Sequence, residues 1–341
     1  MPAYKGKGPT HRVNSFRSLL ISSHLGKVIH RCIRQHKAEA YEKYLQGQQL
    51  GGRRKVPVQL ALHQARAFLR RAREQHLSAG LLFLDLTEAF YRILRELSMG
   101  GTPTDELLSY VFRKLRLPVD SMHQLHAVLD NGTALEHAGL SATARNCFRA
   151  IHSNTHFWLA EQTDVVETSL GTRPGDSFAD VIFGFTWSMV LKRLQAFLID
   201  HELIAQIPTM HRPPFFAPAT TDYVTKPFLG PTWMDDLCLC VQHHTAQGLE
   251  STIGPAISYL LDLCEQHLMS PNLSRGKTEL LLSFHGPGSR KMKVKHYGPQ
   301  TAGMFPVICE RQTQNISLVK EYRHLGGVLH HTSDQAREVA Q

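Results

Sequence analysis

The chain has 341 residues, 42% of them hydrophobic and 20% charged, which excludes a disordered chain and allows one large core or two ordinary ones. Lys and Arg number 38 against 29 Asp and Glu, a formal net charge of +9, so a polyanionic partner is favoured, either nucleic acid or an acidic membrane surface. No run reaches the roughly 18 apolar residues of a membrane span; the longest, Val181 to Leu191, stops at Lys192, and the N-terminal MPAYKGKGPTHR lacks the apolar core of a secretory signal.

In chain order, residues 16–45 carry helical apolar spacing among many basic residues, GGRRK at 51–55 interrupts it, and a second helical run follows from Leu60 to Arg73. GLLFLDL at 80–86 reads as a short buried strand. Phe90, Ile93, Leu94 and Leu97 then fall at i, i+3, i+4 and i+7, which predicts an amphipathic helix from about Thr87 and places Asp85 at the strand's exit. Residues 103–160 read as mainly helical, with loops at DNGT and SNT. GTRPGDSFADVIFGF at 171–185 is a glycine- and proline-punctuated loop entering a helix. Asp176 or Ser177 is its expected N-cap, and Phe178, Val181, Ile182, Phe185 and Met189 its apolar face. The proline-rich residues 207–231 are expected to be a loop or insertion. GPTWMDDLCLCVQ at 230–242 then reads as strand, turn and strand, with Asp235 and Asp236 in the turn. No internal repeat and no compositional domain boundary is visible. The six cysteines lack CxxC spacing and read as reduced core cysteines of a soluble intracellular protein, nuclear or cytoplasmic, rather than zinc ligands or a disulfide frame.

The paired carboxylates need an explanation. Two like charges about 4 Å apart at a partly buried site repel by roughly 4 kcal/mol at an effective dielectric near 20. One reading makes Asp235 and Asp236 ordinary turn residues and Asp85 the cap of the following helix. The other has all three converging on two Mg²⁺ ions, the arrangement that stabilises attacking and leaving oxygens in phosphoryl transfer.

The succession of an apolar strand ending in Asp, a Gly-rich loop opening a helix, an apolar hairpin tipped by Asp-Asp, and NLSRGKTELLLSF at 272–284 resembles the palm of reverse transcriptases, in particular those of non-LTR (LINE-type) retrotransposons. In that pattern FLDLTEAF resembles motif A, GTRPGDSFADVIF motif B, WMDD motif C, NLSRGKTE motif D and YRHLGGVL (322–329) motif E. Upstream, YKGKG, NSFRSLLIS and GKVIHRCI resemble the segment leading into the fingers, and QLGGRRK the basic fingers segment. The resemblance runs from about Tyr4 to Leu329. It implies an α+β fold, a right-hand polymerase core with an antiparallel palm sheet backed by helices. Its expected parts are an N-terminal fingers segment at 1–78, a palm at 79–330 with a fingers insertion at about 100–160, and the start of a truncated thumb or connection at 331–341.

The resemblance also implies roles. Asp85 and Asp235 would be ligands of two Mg²⁺ ions, with Mn²⁺ a possible substitute; Leu86 would contribute through its backbone, and Asp236 is a neighbouring carboxylate. Arg53, Arg54 and Lys55 match residues that touch the dNTP triphosphate, and Phe90 the aromatic beneath the incoming sugar that excludes a 2′-hydroxyl. Gly171 and Gly175 match the glycines that let backbone approach a base pair, and Lys277 the lysine that protonates pyrophosphate. Arg173, Asn272 and Gly326 are implied nucleic-acid contacts. Motif B departs from the usual form: Pro174 stands where glutamine is common, and Ala179-Asp180 replaces Ser-Pro. GKT at 276–278 is no P-loop, because Pro271 occupies the position five before Gly276. His243-His244 and His330-His331 show no metal-ligand pattern and read as surface residues. The implied activity is RNA-directed DNA synthesis from an RNA template, a DNA primer and dNTPs, with no membrane and no inferable protein partner. The alternatives are a non-catalytic, maturase-like RNA-binding remnant and an RNA-dependent RNA polymerase, the latter disfavoured by Phe90.

Overall fold

A computed structural model of the chain describes residues 2–5, 9–12, 15–18, 23–115, 117, 121–158, 163–173, 176–210 and 223–332. Pro174 and Gly175 lie outside the described residues, as do 211–222 and 333–341. The fold is mixed, of α+β class, and divides into two compact units. One comprises Met1–Gln46, Thr87–Val190 and Cys264–Ser270; the other comprises Gly47–Leu86, Leu191–Leu263 and Pro271–Gln341. The helix after GGRRK belongs to the second unit and packs on its central sheet.

The second unit is built on a six-stranded sheet ordered Met304–Ile308, Thr313–Val319, Glu279–Ser283, Ser78–Leu84, Asp236–His243, Thr232–Trp233. Ser78–Leu84 is the hydrophobic run expected as a strand, and each of its positions is buried. An unbroken apolar strand needs cover on both faces. Helix Gln59–Glu74 supplies one cover, packing Leu62, Ala65, Phe68, Leu69 and Ala72 with Ala79, Leu81, Phe83, Cys238 and Cys240. On the other side Ile253 of helix Ala246–Gln266 occupies the space that a side chain at Gly80 would need. The expected all-antiparallel sheet is corrected at one place: Glu279–Ser283 and Thr313–Val319 run parallel. The chain between them, containing helix Ser289–Tyr297 and strand Met304–Ile308, is long enough for the crossover that parallel pairing requires.

Part of 207–231 is also not loop. Ala205–Met210 and Tyr223–Phe228 pair antiparallel, Ala205 opposite Phe228, and both of those residues enter the core. A last hairpin, Glu321–His324 with Gly327–His330, turns at Leu325 and Gly326, both with positive φ. The cysteines are all free; Cys238 and Cys240 are buried in one cluster and Cys264 is buried too, but Cys32 is exposed and Cys147 and Cys309 are only partly buried, so the expected core placement holds for three of the six.

The first unit is mainly helical. Helix His24–Tyr44 starts later than the apolar spacing suggested, because Phe16–Ser18 instead pairs with Pro2–Tyr4 and Ser23 caps the helix by accepting from Gly26 N at 3.1 Å. Tyr41 and Tyr44 meet Phe148, Phe178, Val181, Ile182 and Phe185 in one apolar cluster. Leu94, Leu97, Leu108, Val111, Phe112 and Met189 meet in a second. The helices Asp105–Leu115, Ser121–Asp130, Ala134–His137 and Ala142–His152 answer the helical reading of 103–160, which ends at the strand pair Thr155–Trp158 and Val165–Thr168.

The amphipathic helix expected after Thr87 is broken. Ala89–Arg92 and Arg95–Met99 are separate short helices with Ile93 and Leu94 outside helical geometry between them. The interruption has a local cause: Gly171 N donates to Ile93 O at 2.8 Å and Thr172 N to Phe90 O at 2.7 Å, so carbonyls that a continuous helix would use are taken by another segment. Helix Ala179–Asp200 runs past Lys192, and 181–191 are buried without interruption. By length and composition it passes as a membrane span, with mean hydropathy 1.2 over 18 residues, and 67% of that window is buried inside the protein.

Candidate active site

The carboxylates come from neighbouring strands of the second unit. Ser78–Leu84 pairs with Asp236–His243 so that Leu84 lies opposite Leu237; the next residues outward are Asp85 and Asp236, and Asp235 precedes in the turn. Trp233 pairs with Asp236 across a two-residue turn of Met234 and Asp235. Met234 holds a φ of +56°, a left-handed conformation that costs a non-glycine residue roughly 1 kcal/mol. The turn is held from outside: Thr232 N donates to Gln48 O at 2.9 Å and Leu50 N to Thr232 O at 2.8 Å. Gly51 lies so close that a Cβ there would overlap the main-chain nitrogen of Met234.

On the far side of the central strand, Glu279–Ser283 brings Lys277. Its Nζ lies 3.2 Å from Asp85 Oδ1, with the lysine side chain half exposed. The loop holding it is fixed by main-chain and hydroxyl bonds. Asn272 N donates to Asp85 O at 2.8 Å and Thr278 N to Asn272 O at 2.9 Å. The buried Thr278 hydroxyl accepts from Asp85 N at 3.2 Å. Asp85 is therefore not a helix cap: Glu88 occupies the N-cap position of the next helix, without a side-chain cap. Leu86 forms an antiparallel bridge with Pro271. The hydrogen bonds of this bridge belong to its neighbours, Asn272 N to Asp85 O and Thr87 N to Ser270 O, so the Leu86 carbonyl points away from Pro271.

The electrostatics follow from this convergence. Burial, then the Asp235 and Asp85 carboxylates, push the Asp236 carboxyl up to about 7, with Lys277 acting in the opposite direction. Tyr322 stacks on Phe83 at 4.1 Å between ring centres and donates its hydroxyl to Lys277 O at 3.0 Å. Its own ionisation is driven up by burial and by Asp236 and Asp85. The donor set is hard oxygen: carboxylates and one main-chain carbonyl. Among the described residues no group of three or more His, Cys, Asp or Glu side chains is gathered to hold a metal ion. Mg²⁺ is commonly held by one or two carboxylates with phosphate oxygens and water completing the shell, and a set of this size and chemistry fits that mode.

The other expected residues divide between the two units. Arg53 is half-buried and donates Nε to Gln49 O at 2.6 Å, beside the turn-bracing segment; Arg54 and Lys55 are exposed, Lys55 with φ +60°. Asn272 serves the Lys277 loop, and Gly326 (φ +92°) sits in an exposed hairpin turn. In the first unit Phe90 is half-buried against Phe183, ring centres 4.9 Å apart. Gly171, with φ +73°, is required because its backbone touches the main chain of Tyr91, so its small size serves a chain crossing within the protein. Arg173 spans Ile151 O at 3.0 Å and Asp176 at 3.3 Å. His330 and His331 are half-buried, not simply surface residues: His331 O accepts from Ser283 and its ring lies 5.1 Å from Tyr297.

Sequence reasoning missed Gln48 to Gly51 as the brace of the turn, Thr278 as the anchor of Asp85, and Tyr322 as the support of Lys277. Thr278, Tyr322 and Gln49 to Gly51 stood in recognised motifs, but these supporting roles are set by long-range pairing that no local pattern announces. It also missed Arg95, a buried guanidinium that donates to the carbonyls of His152, Thr168, Leu170 and Gly171. No protein-family model matches the chain, and no curated protein matches its sequence.

Proposed function

We propose that the chain is an RNA-directed DNA polymerase of the non-LTR retrotransposon kind, with the carboxylate end of the six-stranded sheet as its nucleotidyl-transfer site. One observation carries the reading: three adjacent strands deliver Asp85, the Asp235-Asp236 pair and Lys277 to one end of the sheet, where Asp236 is pushed up to about 7 by burial and then by the other two carboxylates. Asp85, Asp235 and the Leu86 carbonyl would hold Mg²⁺, which when bound neutralises the charge developing on the phosphoryl oxygens. The chain's own groups do the rest. Lys277 Nζ would leave Asp85 and give a proton to the pyrophosphate oxygen as its bond to the α-phosphorus breaks and the primer 3′-oxygen bonds there, the 3′-hydroxyl proton passing to solvent. Arg53, Arg54 and Lys55 receive the triphosphate from a segment already tied to the Met234 turn. The resemblance assigns Phe90 the exclusion of a 2′-hydroxyl. Right-hand fingers and palm are the corresponding finer reading of the α+β fold.

The test is primer extension on poly(rA)–oligo(dT) with Mg²⁺ or Mn²⁺. Asp85→Asn and Asp235→Asn should each abolish incorporation while leaving the melting temperature in EDTA equal or higher, because each relieves carboxylate repulsion. Extension near the parental rate in both variants would sink the assignment. The Asp85–Lys277 ion pair also suits an RNA-binding remnant whose charges satisfy one another. RNA binding with no incorporation in either metal would favour that reading.

A further inference from the structure

The opposite end of the same sheet is strongly basic. Ser78–Leu84 has seven residues, so at about 3.3 Å per residue its two ends lie roughly 20 Å apart. At the Ser78 end, Arg73 closes helix Gln59–Glu74, helix Ser289–Tyr297 carries Arg290 and Lys293 at i and i+3 on one face, and Lys320 precedes the last hairpin. All four are exposed, and among the described residues none of them has a carboxylate partner. Lys295, on the same helix, does have one in Glu250, at 2.6 Å.

The platform beneath them is rigid. Ser78 Oγ donates to His285 O at 2.6 Å and receives His285 N at 3.0 Å. Arg73 donates to Thr332 O at 3.1 Å, and Ser283 Oγ donates to His331 O. Two histidines inside the patch report its field. Burial, then Lys293, Arg73 and His76, lowers His285. Burial, then His330, Lys293, Lys320 and His285, brings His331 down to about 4. Besides neighbouring histidines, the groups that act on these two rings are Lys293, Arg73 and Lys320.

We infer that this end of the sheet is a second nucleic-acid docking surface, in which Arg73, Arg290, Lys293 and Lys320 bind the phosphate backbone of a single strand. Cations spread over three separate elements match an extended polyanion better than one phosphate. The partly exposed His330 ring, 4.5 Å from His331, offers a face on which a base stacks. A bilayer fits less well, because Val294 is the one large apolar side chain of that helix exposed to solvent (66%) and gives little to bury. The inference goes beyond the polymerase reading and does not depend on it.

The experiment measures binding of a 20-nucleotide RNA and its DNA counterpart by fluorescence anisotropy, in EDTA and without nucleotides. The proteins compared are the parent, Arg290→Gln/Lys293→Gln/Lys320→Gln, Lys293→Gln/Lys320→Gln, and Arg113→Gln/Lys226→Gln as a control for net charge. The triple variant should bind at least about tenfold more weakly, and its slope of log affinity against log salt should be shallower by about 2, the loss of three single-strand phosphate contacts. The double variant should lose part of that and the control markedly less. Because the assay holds neither metal nor nucleotide, it reads this surface whether or not the carboxylate end of the sheet polymerises, which keeps failure of the active-site reading distinct from failure of this one. A loss in the double variant no greater than in the control would overturn the inference. So would unchanged RNA binding accompanied by lost binding to phosphatidylserine vesicles.

Discussion

At the residue scale the candidate site depends on contacts that leave no slack. Gly51 lies against main chain, which cannot rotate away as a side chain can, so Gly51→Ala must displace either the 48–51 segment or the Met234 turn. It is expected to lower stability by about 1–3 kcal/mol and to reduce primer extension by more than the stability loss explains. Binding of RNA at the basic end of the sheet should be retained. A variant with parental extension would show that the brace does not position Asp235. Tyr322→Phe is milder: it deletes the hydroxyl donated to Lys277 O, should cost about 1 kcal/mol in urea unfolding, and should keep the ring stacked on Phe83.

At the element scale the segment after Asp85 shows why helical spacing misled. Phe90, Ile93, Leu94 and Leu97 have the period of one helix, and Ile93, Leu94 and Leu97 are buried as that period implies. The hydrogen bonds of a helix, however, lose to those of the crossing segment Gly171-Thr172, and Arg95 locks the exchange by donating to carbonyls on 152–171. Burial, the largest influence, brings its guanidinium down to about 10, still charged at neutral pH. Arg95→Ala would leave several buried carbonyls without donors, each costing about 1–3 kcal/mol. We expect a loss of roughly 3–5 kcal/mol in chemical denaturation, and little recovery in Arg95→Lys, since an ammonium does not reproduce the planar fork. A cost under about 1 kcal/mol would mean that the two short helices hold their break without it.

For the whole molecule, acid should be destabilising through buried histidines, His152 in the first unit and His324 in the second among them. Burial lowers both His152 and His324 to about 4 from an ordinary 6.5. Between those values the unfolded chain binds more protons than the folded one, so stability is complete above about 6.5 and falls as pH drops toward 4. Each group accounts for roughly 3 kcal/mol at the low end. Urea midpoints from pH 7.5 to 4.5 should therefore decline. His152→Gln should flatten the decline while lowering stability at pH 7.5, because its ring nitrogen is hydrogen-bonded to Phe148 O at 3.0 Å. A pH-independent midpoint would contradict the burial of both rings.

Sequence alone determined the local, strongly patterned parts. The buried strand before Asp85, the helix after GGRRK, the hairpin carrying Asp235-Asp236, the helical run across 103–152 and the reduced cysteines are all legible, because apolar period and turn chemistry act over a few residues. Tertiary structure decided what depends on pairing between distant segments. Phe16–Ser18 became a strand because Pro2–Tyr4 lies beside it, and Ala205–Met210 because Tyr223–Phe228 does. The helix after Thr87 broke because Gly171 crosses it. One strand pair turned parallel because a long connection permitted it. The same holds at the candidate site: the aspartates and Lys277 could be named from their motifs, but their convergence, and the roles of Gln48, Thr278 and Tyr322, rest on hydrogen bonds between residues far apart in the chain. Local preference is worth tenths of a kcal/mol per residue, and burial and long-range hydrogen bonding outweigh it wherever they disagree.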